Sequence, residues 1–288
     1  MYLVIDVGGT YTKYGYYHQN GECIKQDKYK TITTNIHDFY HKIIELAQNV
    51  DAIALSMPGL IDSQKGIIHA ITLLPFLKGH HIKEELEEKT NLPVSIENDA
   101  KCATLGEMWK GSLKNIQNGL FIVLGSGIGG TIIINGKILT SSRYKAGEIG
   151  SILMPLDFNY EHMTNFGANN NANQLIHQIS QQTHCLEDGY TVFETIKKDN
   201  KAKEIFHTYC RQIAFMIYNL DYILDLDVVC IGGGISEQNV LIKTIQKEFS
   251  LLRSKYKEDS HEPIITVCQH HNEANLLGAL YHHIQTIK

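Results

Sequence analysis

The sequence predicts an α/β protein that is organised as two domains, and three observations lead to this prediction. Glycine-rich segments follow apolar, β-branched runs at three places, which are residues 6–10, 125–131 and 232–234. Segments with the 3.6-residue period of amphipathic helices alternate with these runs. At 288 residues the chain is longer than a typical single domain, so we expect two.

The first half combines hairpin strands with helices. His18-Gln-Asn-Gly21 has the Asn-Gly signal of a β-hairpin turn between two predicted strands. Residues 36–49 place apolar side chains at helical spacing and predict a helix. The predicted strands of this half are 2–7, 11–17, 23–31, 52–57 and 94–97, and its other helices are 82–90 and 100–109.

The second half repeats the opening pattern of strand, glycine-rich turn, strand and Asn-Gly hairpin, which suggests duplicated domains. Residues 157–173 are rich in asparagine and predict an irregular segment. The predicted strands are 120–124, 131–134, 137–139 and 227–231, and the predicted helices are 202–224 and 274–286. We therefore expect an N-terminal domain over 1–115 and a C-terminal domain over 116–288, with the last helix packing back toward the first domain.

Composition excludes several classes of protein. The chain is 43% hydrophobic and 20% charged, with a net charge of −5 and interspersed signs, which argues against a nucleic-acid partner. No apolar stretch approaches the roughly 20 residues of a membrane span. The six cysteines lie far apart and no leader segment is evident, so we expect a cytoplasmic protein with reduced thiols. The histidine doublets at 80–81, 270–271 and 282–283 are expected at the surface and have no metal-binding spacing.

Residues 6–10, Asp-Val-Gly-Gly-Thr, could bind phosphate. Gly8 and Gly9 would let backbone N–H groups approach a phosphate, and Thr10 could donate a hydrogen bond. Asp6 could hold Mg²⁺ through a water molecule. An ordinary hairpin turn explains the same residues about as well, so the motif alone leaves both interpretations open.

Two later glycine segments strengthen the first interpretation. Gly127, Gly129 and Gly130 form a longer loop, which lacks the Lys-Ser/Thr of a P-loop. The third segment follows a buried strand and would let an adenosine lie close to the backbone; it consists of Gly232, Gly233 and Gly234. Together the three segments predict a nucleotide held between two halves, as in a phosphotransferase.

Polar residues after two strands are candidates for substrate binding and catalysis. Asn98 could bind a substrate hydroxyl, while Asp99 could accept its proton during attack on phosphorus. Alternatively, Asp99 only caps a helix. Glu148, between two glycines, could bind vicinal hydroxyls or lie in a solvated surface turn. Gly59, in Ser56-Met-Pro-Gly, is either a substrate-side wall or a turn.

The order of these motifs resembles the ROK family of sugar kinases and repressors, from residue 2 to about residue 280. The resemblance implies an actin-like, hexokinase-type ATPase fold, in which two ribonuclease-H-like domains close over sugar and ATP, with Mg²⁺. It implies that Asn98 and Glu148 bind sugar and that Asp99 is the base. The nucleotide-binding residues that it implies are Asp6 on the metal side and Gly8, Gly9, Thr10, Gly127, Gly129, Gly130, Gly232, Gly233 and Gly234.

The chain departs from the family pattern in one region. Ser151 takes the position of a histidine that the family uses as a sugar ligand, and residues 152–175 contain no cysteine. We therefore expect no structural zinc, and Gly59 and Ser151 complete the predicted sugar-side residues. The resemblance implies an ATP-dependent kinase acting on the 6-hydroxyl of a hexose or β-glucoside, in a homodimer. An N-acetylmannosamine kinase and a sugar-binding regulator without turnover remain alternatives.

Overall fold

The computed structural model describes residues 1–153, 164–257 and 260–287. The chain divides into two compact units. Unit 1 comprises Met1–Lys114, Thr140–Lys145 and Asn272–Lys288, and unit 2 comprises Asn115–Leu139 and Ala146–His271. The C-terminal helix therefore belongs to the unit that contains the N-terminus.

The described residues form twelve strands and nine α-helices. The strands are β1 (Tyr2–Val7), β2 (Tyr11–Tyr17), β3 (Cys23–Lys30), β4 (Ala52–Met57), β5 (Leu60–Asp62), β6 (Ile67–Ala70), β7 (Val94–Asn98), β8 (Gly119–Leu124), β9 (Ile128–Ile134), β10 (Lys137–Ile138), β11 (Val228–Gly232) and β12 (Ile264–Val267). The helices are α1 (Ile36–Leu46), α2 (Ile82–Thr90), α3 (Asp99–Lys110), α4 (Phe166–Asn169), α5 (Ala172–Thr183), α6 (Gly189–Lys198), α7 (Asn200–Leu224), α8 (Asn239–Tyr256) and α9 (Ala274–Thr286).

The main sheet of unit 1 has the strand order β3-β2-β1-β4-β7. β1, β4 and β7 are parallel, so their carboxyl ends meet at one edge of the sheet. Alternate residues of β1 enter different cores: Leu3 and Ile5 pack with α1 and α2, whereas Val4 packs with α3 and α9. The sheet is thus covered on both faces.

Helices α3 and α9 pack with their backbones in contact. A Cβ on Gly278 would lie 1.6 Å from the carbonyl oxygen of Cys102, and one on Gly106 would lie 2.4 Å from that of Ala274. Only glycine leaves room for so close an approach. The start of α9 is therefore held firmly against the α3 helix.

The five-stranded sheet of unit 2 has the order β10-β9-β8-β11-β12. β8, β11 and β12 are parallel, and β9 pairs antiparallel with β8 and β10. The strand order and directions repeat those of the first sheet, as expected from the internal similarity in the sequence. The core of this unit contains apolar side chains of α5, α6, α7 and α8.

Several sequence expectations were wrong in detail. The helix predicted to 49 ends at Leu46, because Ala47 caps it and Asn49 has a left-handed φ of 61°. The segment predicted as irregular contains α4 and the start of α5, whose caps are Asn165 and Asn171. The rest of that prediction, residues 157–163, lies outside the described residues. The sequence did not predict β5, β6, β12, α5, α6 or α8.

The surface prediction for the histidine doublets was wrong at His283. This residue is buried on α9, and its Nδ1 lies 2.9 Å from the Ser95 Oγ. In the parts of the chain that the structure describes, no helix has both the length and the apolar character that a membrane crossing requires.

Candidate active site

A polar cluster lies at the carboxyl ends of the parallel strands in unit 1. Asp6 pairs in register with Ser56, which pairs in turn with Glu97. Asp6 is only 8% exposed. Its Oδ1 accepts hydrogen bonds from the Ser56 Oγ at 2.7 Å and from the Asn275 Nδ2 at 3.1 Å. Burial raises the pKa of Asp6, while the hydrogen bonds from these two side chains oppose that shift.

Asn98 and Asp99 form the turn from β7 into α3. The Asn98 Oδ1 accepts a hydrogen bond from the Lys101 backbone N–H at 3.1 Å, so Asn98 is the helix cap. Its Nδ2 donates to the Gly59 carbonyl and to the Asp99 Oδ1, each at 3.0 Å. The same Asp99 oxygen accepts from the Ala100 N–H at 2.9 Å. The cap role therefore belongs to Asn98, and Asp99 is a half-buried, oriented carboxylate.

Asp99 lies in the first turn of α3, and the positive end of the helix dipole suits an acidic side chain there. Both amide hydrogens of Asn98 are engaged within the protein, while its Oδ1 retains a second lone pair that could accept from a substrate hydroxyl. Thus Asn98 first of all fixes the orientation of Asp99.

Gly59 anchors this turn through its backbone. It has a φ of +110°, and a Cβ there would lie 2.4 Å from the carbonyl oxygen of Ala70. An L-residue would be both strained and obstructed at this position. The carbonyl of Gly59 can therefore accept from Asn98 only if the β4–β5 turn keeps its glycine.

A buried ion pair lies behind the turn. The Lys101 Nζ is 3.7 Å from the Glu97 Oε1, and both side chains are less than a tenth exposed. The same Oε1 accepts the backbone N–H of Asn98 at 2.7 Å. Separating a buried pair would leave an uncompensated charge, which is costly. The pair therefore holds the end of β7 and the first turn of α3 together. The sequence analysis did not identify either residue as part of the site.

The loop over residues 6–10 is tied to the end of β3. The Gly8 carbonyl accepts from the Thr31 Oγ1 at 2.7 Å, and the Thr10 carbonyl accepts from the Thr31 N–H at 3.0 Å. A Cβ on Gly8 would lie 2.8 Å from the Tyr11 carbonyl oxygen. Gly9 and Thr10 are exposed. The loop is a fixed turn with an exposed tip.

In unit 2 the sheet brings the other two glycine segments together, because β8 and β11 are adjacent and parallel. Gly233 has a φ of +96°, and its Cβ would lie 2.2 Å from the Leu124 carbonyl oxygen. In contrast, a Cβ on Gly127 or Gly234 would meet no atom of the described residues within 4 Å. The segments thus contain glycines that the fold requires and glycines whose backbone faces open space.

The turn that contains Glu148 packs on β9. Gly147 has a φ of +89° and its Cβ would lie 3.0 Å from the Gly130 carbonyl oxygen, while a Cβ on Gly150 would lie 2.1 Å from that of Ile128. Glu148 is half-buried, and its carbonyl accepts the N–H of the exposed Ser151 at 3.0 Å. The glycines place this turn directly beside the Gly129-Gly130 backbone.

The predicted residues thus form two clusters. Unit 1 brings together Asp6, Gly59, Asn98 and Asp99 around the strand ends, and unit 2 holds the glycines of its two loops and the Glu148 turn. Sequence analysis missed Ser56 as a partner of Asp6, although it lies in a motif that we had noted. It also missed Asn275, whose only signal is a polar residue within the apolar run 274–280.

Among residues 1–153, 164–257 and 260–287, no group of three or more His, Cys, Asp or Glu side chains could hold a metal ion. The expected absence of a structural zinc stays a prediction, since residues 154–163 include acids and a histidine.

Comparison with known proteins identifies the family. The sequence profile that describes the ROK family matches residues 2–286. The chain belongs to the ROK family. A beta-glucoside kinase of Listeria innocua is 31% identical over 97% of this chain and 96% of its own length. A glucokinase of Halalkalibacterium halodurans is also 31% identical, over 96% of this chain and 93% of its own length.

Among solved structures, a ROK family protein of Streptococcus pneumoniae in complex with sucrose has a TM-score of 0.89 and 27% identity. The match covers 99% of this chain and 98% of that protein. These findings confirm the predicted family and the actin-like ATPase fold, and they confirm the predicted function at the level of a ROK sugar kinase.

Proposed function

We propose that this ROK kinase transfers the γ-phosphoryl group of ATP to the 6-hydroxyl of a β-glucoside, with Asp99 as general base. The observation that carries the proposal is the arrangement of Asp99. Its carboxylate lies at the N-terminus of α3, oriented by Asn98 and by the Ala100 N–H, at the strand edge where Asp6 also lies. A residue that served only as a helix cap would not need this arrangement, because Asn98 already caps the helix.

Phosphoryl transfer depends mainly on positioning and on charge stabilisation, and one placed base completes the chemistry. In our proposal the carboxylate of Asp99 accepts the proton of the attacking hydroxyl. The second lone pair of the Asn98 Oδ1 accepts a sugar hydroxyl, and Glu148 binds vicinal hydroxyls. Each group is held by its own backbone turn, so little reorganisation is needed when substrate binds.

The residues present fit ATP and Mg²⁺. Open space at Gly127 and Gly234 is what close approach of phosphate and adenosine to the backbone requires. Burial opposes the ionisation of Asp6, and a nearby cation would stabilise its charged form. Carboxylate oxygens are ligands that Mg²⁺ commonly takes. When bound, Mg²⁺ neutralises charge on the phosphates. Asp6 would hold this ion through water.

The preference for a β-glucoside is supported by the relative from Listeria innocua, which is named a beta-glucoside kinase. Ser151 supports a departure from the usual hexose site, since it is small at the position where the family resemblance implies a histidine. A hexose or N-acetylmannosamine would be accepted less well. We include a homodimer without structural zinc in this proposal, as the family resemblance and the lack of cysteines in 152–175 suggest.

The proposal is tested with purified protein, Mg²⁺ and ATP against cellobiose, gentiobiose, glucose, fructose and N-acetylmannosamine. Formation of ADP is followed by a coupled assay, and the phosphorylated position is read by NMR. We expect the highest kcat/KM with a β-glucoside and phosphate on the 6-position. Turnover of N-acetylmannosamine alone would refute the substrate assignment, and sugar binding without turnover would indicate a regulator.

A further inference from the structure

One amide in unit 1 contacts three parts of the candidate site at once. The Nδ2 of Asn275, the second residue of α9, lies 3.1 Å from the Asp6 Oδ1 and 3.3 Å from the Asp99 carbonyl oxygen. It also lies 3.5 Å from the Ser56 Oγ. Since an amide nitrogen carries two hydrogens, Asn275 can donate to the Asp6 carboxylate and to the Asp99 backbone simultaneously.

The position of this amide is fixed by the helix that carries it. The α9 backbone contacts that of α3 at two glycines: Gly278, three residues after Asn275, lies against Cys102, and Gly106 lies against Ala274, the residue just before Asn275. Neighbouring residues Leu276 and Leu277 are buried in the same core as Val4 and Ala54. Asn275 therefore has little freedom to move away from the strand ends.

The environment of Asp6 shows why a second donor matters there. Asp6 is buried, and titratable groups of two other elements interact with it: Lys13 on β2 favours its ionised form, and on α3 the Cys102 thiol has its pKa raised by burial and in part by the charge of Asp6. Ser56 and Asn275 both donate to the Oδ1 of Asp6, and neither donates to its Oδ2. Two donors on one oxygen hold the carboxylate in a single orientation.

We propose that Asn275 is a positioning residue of the phosphoryl-transfer site, whose amide fixes the Asp6 carboxylate and the Asp99 turn relative to each other. The inference rests on the proposed function, because it assigns Asp6 to the metal side and Asp99 to the base. A displaced base or metal-side acid slows transfer much more than it weakens sugar binding, since the alignment matters most in the transition state.

The first test compares Asn275→Ala and Asn275→Asp with the wild type in steady-state kinetics. Asn275→Ala should lower kcat about 10- to 100-fold and raise the Mg²⁺ concentration for half-maximal rate, with the sugar KM within about twofold. Asn275→Asp should lower kcat further than Asn275→Ala, because it places a carboxylate oxygen, which only accepts hydrogen bonds, where the Asp6 Oδ1 needs a donor. Gln285→Ala, an exposed amide on the same helix, serves as the matched control and should match the wild type.

The second test needs no activity and measures binding by calorimetric titration, with Mg²⁺ and a non-hydrolysable ATP analogue in one series and with cellobiose in the other. Asn275 holds the carboxylate that we assign to the metal side, so Asn275→Ala should weaken binding of the Mg²⁺-nucleotide about 10-fold. Its affinity for cellobiose should stay within about twofold of the wild type. The same nucleotide series without Mg²⁺ should show no difference between the two proteins, because the amide acts through the metal-side carboxylate.

A merely structural role would weaken Mg²⁺-nucleotide binding, sugar binding and kcat to the same extent, which would overturn the proposal. Wild-type kcat in Asn275→Ala would also overturn it. If the wild type turned over no sugar, the proposed function would fail, and the difference between the losses of Mg²⁺-nucleotide affinity and sugar affinity would still decide whether Asn275 positions Asp6.

Discussion

The two kinds of glycine in unit 2 lead to a sharp prediction about ATP binding. Gly127→Val puts a branched side chain into space where, in the part of the chain that the structure describes, no atom lies within 4 Å of its Cβ. The fold should tolerate it, with a free energy of unfolding within about 0.5 kcal/mol of wild type. A phosphate that hydrogen-bonds to this backbone would be displaced. Loss of one charge-assisted hydrogen bond costs about 1.5–3 kcal/mol, which is a 10- to 150-fold weaker ATP affinity.

The matched comparison is Gly130→Val, three residues further along the chain and inside β9. A Cβ there would lie 2.6 Å from the Ile149 Cγ1 and 2.8 Å from the Gly147 carbonyl oxygen, so overpacking should cost about 1–3 kcal/mol of stability. Calorimetric titration with ATP, titration with sugar, and urea unfolding separate the two effects. Unchanged ATP affinity in a stable Gly127→Val protein would refute the assignment of this loop, and an equal loss of sugar affinity would show that it has another role.

Three further predictions concern stability and metal content. Gly278→Ala should lower the free energy of unfolding by about 1–3 kcal/mol, because its Cβ would meet the Cys102 carbonyl oxygen; an unchanged urea midpoint would contradict the contact between α3 and α9. Although burial raises the pKa of Glu248, hydrogen bonds from His207 and Arg211 lower it overall. Its contribution is present in full above the ordinary value of 4.5 and is lost as pH falls through the lowered folded-state pKa, so Glu248→Gln should cost about 1 kcal/mol at pH 7 and progressively less as the pH falls below 4.5; a pH-independent cost would contradict this origin. Elemental analysis of protein purified without chelators should find no stoichiometric zinc, and one zinc per chain would refute that expectation.

The sequence predicted those parts of the fold and site that depend on local signals. Glycines after β-branched strands indicated the loops, and the helical period indicated most of the long helices. Asn275 carried no such signal, because its partner Asp6 is 269 residues away in the chain. His283 was misplaced for a related reason. A histidine doublet looks like a surface feature until α9 packs on the sheet and directs one of the pair toward Ser95.

The site also shows how local chemistry can leave two roles open until the fold is known. The pair Asn98-Asp99 contains two residues that can each cap a helix. Spacing cannot distinguish them, because from the sequence alone either residue could be the one that precedes the first helical turn. The structure gives the cap to Asn98 through its bond to the Lys101 N–H, and the carboxylate of Asp99 is held by separate donors.

The most direct test of the central claim is the kcat of Asp99→Asn with the best sugar, measured beside its sugar affinity and its thermal melt. Asparagine keeps the shape of the side chain and retains an acceptor oxygen, so folding and sugar binding should be preserved. Without a positioned base, kcat should fall about 10²- to 10⁴-fold. A folded Asp99→Asn protein that keeps near-wild-type kcat would remove Asp99 from the mechanism.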